Sequence, residues 1–240
     1  MIQFAKMKLT VIIPAYNEEK TIAQVLRKVK SNKLVKEVIV VNDGSTDRTR
    51  FEIDSVALRE QDSRFKKLII VNKKFNEGKG AAIRDALKIA KGDVFIIQDA
   101  DLEYNPDEYK FVLAPILGKK ADVVFGSRFV GNQPHRVLYF WHFVGNKFIT
   151  LLANTITNLN LTDMETCYKA FTKNVAKKLN LREKRFGFEP EFTIKVAKMG
   201  VRIYEVGVSY SGRSYIEGKK INWKDGLWAV VCLLKYSLGF

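Results

Sequence analysis

The chain has 240 residues, 47% of them hydrophobic, with 41 Lys and Arg against 26 Asp and Glu, for a formal net charge of +15. That length and apolar share suit one α/β domain over residues 1–240, and no Pro/Gly/Ser-rich linker, internal repeat or low-complexity tract suggests otherwise. The positive surplus favours polyanionic partners, but zinc-finger spacing, a basic zipper and an aromatic RNA-recognition string are all missing, so phosphorylated substrates or an anionic membrane surface are expected rather than nucleic acid.

Residues 1–6 lack the long apolar core and small-residue cleavage site of a signal peptide, which places the domain on the cytosolic side, and Met7 is a second possible start. Leu9-Thr10-Val11-Ile12-Ile13 is an apolar run read as a buried strand, broken at Pro14 and followed by Ala15-Tyr16-Asn17-Glu18-Glu19. A helical pattern begins near Thr21, and the basic residues from Lys20 to Lys36 read as its solvated face. Glu37-Val38-Ile39-Val40-Val41 repeats the strand pattern and leads into Asn42-Asp43-Gly44-Ser45-Thr46-Asp47, rich in turn and capping residues.

A third run, Val94-Phe95-Ile96-Ile97, is closely followed by Asp99-Ala100-Asp101-Leu102-Glu103. Side chains two apart on an extended chain point the same way, so Asp99 and Asp101 can hold one hard divalent cation or hand it to a diphosphate. The spacing alone carries little weight, because ordinary residue usage gives roughly 0.6 such pairs by chance in a chain of this composition. Position decides. Three apolar strands each end in a polar, acid-bearing loop, and in an open parallel α/β sheet the loops beyond the carboxyl ends of the strands form the ligand crevice.

His135 and His142 lie seven apart without an acidic neighbour, which argues against a metal role. Cys167 and Cys232 have no metal-ligand spacing and read as small buried hydrophobes in a reducing compartment. Residues 136–157 form an amphipathic helix, with Val137, Phe140, Trp141, Val144, Phe148, Leu151 and Leu152 on one face and His142, Asn146, Thr150 and Asn154 on the other. Such a helix can lie in a lipid interface or pack on the sheet or a sister subunit. Residues 224–238 are a second candidate interface helix, preceded by Lys219, Lys220 and Lys224. Its uninterrupted apolar run, Leu227 to Leu234, is eight residues, against the ~20 that a transmembrane helix needs, so no transmembrane span is expected.

The strings VIIPAYNEEKTI, VNDGSTD, NEGKGAAIRDAL, QDADLEY and FGSR, in this order and spacing, resemble the family 2 glycosyltransferases of the GT-A fold. TDMETCYKAF, FEPEF and YSGRSYIEGKKINWKDG resemble the branch containing dolichyl-phosphate mannose and glucose synthases and their bacterial polyprenyl-phosphate relatives, so the likeness spans residues 8–228. It implies a GT-A, Rossmann-like, mostly parallel sheet sandwiched by helices. It further implies inverting, metal-dependent transfer of a hexose from GDP-mannose or UDP-glucose to a dolichyl or undecaprenyl phosphate. Residues 136–157 and 224–238 look like the interface helices that flank the active site in such enzymes, while the transmembrane extension many of them carry has no counterpart in this sequence.

On this resemblance Mg²⁺ or Mn²⁺ is held by Asp99, Asp101 and Glu103, the last standing where relatives often have Gln. The nucleotide sugar is bound by Pro14, Tyr16, Glu18, Val41, Asp43, Lys79, Asp99, Ala100, Asp101, Arg128, Arg213 and Lys219, and catalytic roles fall to Asp101, Arg128, Arg213 and Lys219. Gly78-Lys79-Gly80 resembles a phosphate cradle, but Gly80 stands where the Walker pattern needs Ser or Thr, so Lys79 is expected as a charge beside the nucleotide with a helix N-terminus behind it. No general base announces itself, which suits a phosphate acceptor: its dianion can attack without losing a proton. Asp163, Glu189 and Glu191 are carboxylates that a hydroxyl acceptor could use. The competing readings are a family 2 enzyme with a hydroxyl acceptor, a nucleotidyltransferase on a similar sheet, and a non-catalytic basic module binding membrane or nucleic acid. A homo-oligomer or a membrane-protein partner is compatible with each.

Overall fold

The apolar runs form a seven-stranded sheet in the order β3-β2-β1-β4-β6-β5-β7, made of β1 (Leu9–Ala15), β2 (Val35–Asn42), β3 (Leu68–Asn72), β4 (Val94–Ile97), β5 (Val123–Ser127), β6 (Lys169–Thr172) and β7 (Ile203–Gly207). The computed structural model describes residues 7–59, 67–131, 133–137, 139–220 and 223–239. Residues 1–6, on which the leader and start-site expectations rest, lie outside the described residues, as does Leu138 within the 136–157 expectation. The helices are α1 (Ile22–Ser31), α2 (Thr49–Arg59), α3 (Lys79–Ile89), α4 (Tyr109–Leu117), α5 (Phe140–Thr157), α6 (Lys173–Lys178), α7 (Phe188–Lys198) and α8 (Trp223–Ser237).

β1 lies at the centre, parallel to both neighbours, with Val11 opposite Val38 on β2 and Ile96 on β4. Strands buried on both faces need no polar alternation, which is why Val11, Ile12, Ile13, Val38, Ile39, Val40 and Val41 are all essentially inaccessible. Only β6 runs against its neighbours β4 and β5. The sheet is therefore mostly parallel, and the carboxyl ends of β1, β2 and β4 share one edge.

Two local expectations are corrected. Pro14 does not break β1, which continues to Ala15 with Pro14 opposite Val41. Ala15 O accepts from Asp43 N on the β2 side and Ile12 O from Gln98 N on the β4 side, so alternation turns the missing Pro14 donor toward β4, past the last paired residue. The basic stretch is not one helix to Lys36 either: α1 ends at Ser31, Asn32 turns extended, and Lys36 belongs to β2.

Cys167 and Cys232 are free and buried. A second, smaller core joins α5, α7 and α8 through Ile149, Ala153, Ile194, Ala229, Cys232, Leu233 and Tyr236. Among the described residues no helix is long and apolar enough to cross a membrane.

Candidate active site

The loops after β1, β2 and β4 meet at the sheet edge, stitched together by Asn17 N donating to Ser45 Oγ at 3.0 Å and Thr21 Oγ1 donating to Ala100 O at 2.8 Å. Over them lies the segment 211–220. Ser211 N donates to Glu103 O at 2.9 Å and Arg213 N to Glu103 Oε1 at 2.8 Å. The Arg213 guanidinium then takes Glu18 as a fork, with both contacts at 3.0 Å, and reaches Asp101 Oδ2 at 2.7 Å. Lys220 Nζ adds a 2.6 Å contact to Glu18, and Tyr210 OH donates to Glu103 at 2.9 Å.

This is a nest of carboxylates balanced by cations from one loop. Burial, and then the neighbouring charges of Glu103 and Asp99, push the Asp101 carboxyl well above the usual carboxylate range despite Arg213. Asp99 goes the other way: burial would raise it, but the Lys79 ammonium 2.9 Å away outweighs that and holds it below its ordinary value.

Each of the three expected metal ligands is engaged by a cation of the chain. Lys79 takes Asp99 while Arg213 takes Asp101 and Glu103, and among the described residues no group of three His, Cys, Asp or Glu stands ready to hold a metal ion. The physical reason is charge balance, since cations of the chain occupy the carboxylates that the spacing rule alone would point at one ion.

Lys79 bridges Asp99 and Glu189, with both contacts at 2.9 Å. Burial opposes its charge, but the two carboxylates prevail and hold the ammonium well above its ordinary pKa. The glycines beside it do not leave an open cradle. A Cβ on Gly78 would meet Lys184 O at 2.4 Å and one on Gly80 would meet Glu183 O at 2.4 Å, and Ala81 N already donates to Lys184 O. These glycines let the 183–185 backbone approach the start of α3, a packing role that the string alone does not distinguish from phosphate binding.

Asp43 is 2% exposed, and its carboxylate accepts from Asn76 Nδ2 and from the amides of Glu77 and Gly78, the last at 2.6 Å, with Lys73 Nζ at 2.9 Å. It therefore orders the loop before α3. Val41 and Ala100 are buried, so they shape the crevice through backbone, and Pro14 lies in β1. Tyr16 is partly exposed, with Lys220 Nζ 5.8 Å from its ring centre.

Across the crevice, Arg128 pairs bidentately with Asp163, with Nε to Oδ2 at 2.6 Å and Nη2 to Oδ1 at 2.7 Å, and stands over the Tyr210 ring at 5.1 Å. Lys219 Nζ lies 5.6 Å from the ring centre of Tyr139, and burial lowers its pKa. Both cations belong to the mouth of the crevice beside α5.

α5 divides its apolar residues: Ile149 and Ala153 belong to the second core, Leu152 packs against that core although the expected outward face included it, and the rest of that face turns out. Trp141 is 78% exposed and Phe148 60%, with Phe140 and Leu151 also exposed, whereas the polar face turns inward. Asn146 donates to Asp163, Asn154 to Leu161 O, Lys147 to Thr162 O, and His142 shares a 2.7 Å hydrogen bond with Tyr215. On α8, Trp223, Leu227, Trp228, Val231 and Leu234 are exposed as well, as is Leu238 just beyond it.

Sequence reasoning missed Glu165 and Lys169, and gave Lys220 to the interface helix, whereas its ammonium contacts Glu18. Lys169 is fully buried at the start of β6, donating to Met164 O and Thr166 O. Burial, then Glu189, push Glu165 up to about 8, while Lys169 and Arg128 pull the other way. A charged residue opening an apolar strand, as in Tyr168-Lys169-Ala170-Phe171, was the available signal. Glu191, held as a possible base, instead accepts from the amides of Arg182 at 2.7 Å and Glu183 at 2.8 Å and caps that turn.

An edge crevice on a mostly parallel sheet, lined by strand-end carboxylates and loop cations, defines a GT-A glycosyltransferase. Residues 10–179 match the profile of Glycosyl transferase family 2, and the chain belongs to that family. It is 28% identical over 240 residues to a UDP-N-acetylglucosamine–dolichyl-phosphate N-acetylglucosaminyltransferase of Methanococcus voltae, covering 95% of each chain. It is 27% identical over 244 residues to a dolichyl-phosphate beta-glucosyltransferase of Trichomonas vaginalis, covering 95% of this chain and 72% of that one. Among solved structures, glucosyl-3-phosphoglycerate synthase of Mycobacterium tuberculosis with Mn²⁺ and UDP-glucose shares the fold at a TM-score of 0.77 and 20% identity, over 100% of this chain and 82% of that one.

Proposed function

We propose that this glycosyltransferase moves a hexose from a nucleotide sugar to a polyprenyl phosphate at the cytosolic face of an anionic membrane, with inversion and with a divalent ion. The observation that carries the reading is the adjacency of Arg128, Arg213 and Lys219, cations of which the first two are paired with carboxylates a phosphate could displace, to the outward apolar face of α5. A lipid phosphate needs both features, a charge for its headgroup and an apolar border for its chain. The relatives named for dolichyl-phosphate acceptors support the acceptor, and the UDP-glucose complex of the solved relative supports the donor.

The donor set suits Mg²⁺ or Mn²⁺: Asp101, Glu103 and Glu18 offer only hard oxygen atoms, and a positive group, Arg213, already sits among them. Asp101, with Asp99 or Glu103, would hold the ion, whose chemistry is to neutralise charge on the departing nucleoside diphosphate. Arg128 and Arg213 match phosphate oxygens with planar forks, and Lys219 adds a point charge. A phosphate dianion attacks the anomeric carbon without surrendering a proton, and in-line attack inverts the sugar. Segment 211–220 covers the donor side, excluding water.

The test incubates labelled UDP- and GDP-sugars with dolichyl and undecaprenyl phosphates, with Mn²⁺, Mg²⁺ or EDTA. A lipid-linked sugar and free nucleoside diphosphate are expected. Pyrophosphate release would make the chain a nucleotidyltransferase, and transfer to hydroxyl acceptors alone would overturn the acceptor. Salt-sensitive binding without turnover of any sugar nucleotide would overturn the donor as well.

A further inference from the structure

The hold on Arg128 does not end at Asp163. Asp163 Oδ2 accepts from Arg128 N at 3.0 Å as well as from Nε, and Oδ1 takes Nη2, so one carboxylate fixes both the backbone and the side chain of the arginine. Among the described residues Nη1 has no hydrogen bond, which leaves it to meet a phosphate oxygen first. What holds Asp163 is Glu205, on β7 opposite Phe125 of β5. Its Oε1 accepts from Thr162 N at 2.9 Å and Asp163 N at 3.1 Å, and its Oε2 from Thr162 N at 3.1 Å and Thr162 Oγ1 at 2.9 Å. Every donor of the Thr162-Asp163 bend thus ends on one side chain.

An ionised carboxylate only accepts, and this gives the network a direction. Thr162 Oγ1 donates to Glu205, so across the 2.6 Å contact Ser127 Oγ is the donor to Thr162 Oγ1, and Ser127 Oγ in turn accepts from Phe129 N at 3.1 Å. Ser127 and Phe129 flank Arg128 in the chain. Glu205 is therefore linked to the arginine twice, through Asp163 to its side chain and through Thr162 and Ser127 to the backbone on either side. Burial, and less strongly the charge of Asp163, raises the Glu205 carboxyl above its ordinary range, while the donors of the bend oppose. One carboxylate already pairs the Arg128 charge, so a second beside it, at this cost, is accounted for by aiming the first. α5 holds the same bend from the other side, with Lys147 Nζ donating to Thr162 O at 3.1 Å, so removing Glu205 loosens the bend without releasing it.

We propose that Glu205 is a positioning residue: by fixing the bend that carries Asp163, it aims Arg128 at the acceptor phosphate. The inference rests on the phosphate-acceptor reading, so the experiment keeps the two apart. Transfer from labelled UDP- and GDP-sugars to dolichyl and undecaprenyl phosphates in Mn²⁺ is measured for wild type, Glu205→Ala, Glu205→Gln and Arg128→Ala, and for each Glu205 change combined with Arg128→Ala. Donor affinity is read by calorimetry. Glu205→Ala should raise the acceptor KM roughly 10-fold, the scale of lost hydrogen bonds to a charged group, while the donor Kd stays at the wild-type value. Glu205→Gln keeps an oxygen for the two amides of the bend and should raise the acceptor KM only about 3-fold. In the Arg128→Ala background neither change should raise it further, because the group being aimed is gone. If Glu205→Ala does not fold, Glu205→Gln carries the same cycle. An equal rise in both backgrounds, an unchanged acceptor KM or a matching loss of donor affinity would overturn the positioning role and leave the transfer standing. Wild type that transfers to no lipid phosphate would overturn both.

Discussion

Arg213 Nη2 and Asp101 Oδ2 stand 2.7 Å apart across 112 residues of chain, so the loop that covers the crevice is held by a carboxylate at its floor. The same carboxylate is the one a divalent ion would require. Cation and guanidinium therefore compete for Asp101, and the competition is measurable.

Arg213→Ala should tighten Mn²⁺ binding measured without nucleotide, because it removes the competing cation, and should lower kcat/KM about 10- to 100-fold by deleting a phosphate-directed, charge-assisted contact. Asp101→Asn should cost turnover by orders of magnitude while circular dichroism stays unchanged. Unaltered Mn²⁺ affinity in Arg213→Ala, or EDTA-resistant transfer by Asp101→Asn, would contradict this account.

The outward face of α5 makes a second test. Trp141→Glu with Phe148→Glu replaces two exposed side chains, so the fold should survive, while sedimentation with anionic vesicles and transfer to a long-chain lipid phosphate should vanish. Burying each such side chain contributes roughly 1.5–3 kcal/mol, enough for a few to hold a basic protein at a membrane. Transfer to a short, water-soluble phosphate should persist. A double variant that unfolds or changes oligomeric state would make α5 a core or subunit surface.

Glu165 predicts a pH signature. Its pKa rises from 4.5 in the unfolded chain to about 8 in the folded protein through burial and Glu189, opposed by Lys169 and Arg128 and assisted by Asp163. Between those values the folded state holds a proton that the unfolded state has released, so the group's contribution to stability is present below the lower value and is lost as pH rises to the upper one. The Tm of Glu165→Gln minus that of wild type should therefore grow from about pH 5 to about pH 8 and level off above. A difference that ignores pH would mean Glu165 is ionised throughout.

Glu183 anchors α8, accepting from Trp228 Nε1 at 3.1 Å, Lys235 Nζ at 2.9 Å and Tyr236 OH at 2.7 Å. Glu183→Ala should lower unfolding free energy by about 1.5–3 kcal/mol in urea titration and expose Cys232, now buried, to thiol reagents. Wild-type thiol protection would show that the α5–α7–α8 core holds α8 without it.

Family, sheet and the strand-end position of the acidic loops were legible in the chain because they depend on local order: apolar runs of strand length, each followed by a polar turn, can be read one segment at a time. The helical spans near 140–157 and 223–237 were legible for the same reason, through their 3.6-residue period. Pro14 misled because a strand tolerates proline wherever its missing donor faces no partner, and which side β4 stops on is a property of the sheet. The direction of α5 was also undecided, since an amphipathic pattern states that two faces differ, not which one meets water or lipid. Only the assembled fold decided the pairings of Arg213 with Glu18 and Asp101, Lys79 with Asp99 and Glu189, and Arg128 with Asp163. Ion pairs between residues up to 195 positions apart are selected by distance and burial in three dimensions, and linear spacing carries no record of either.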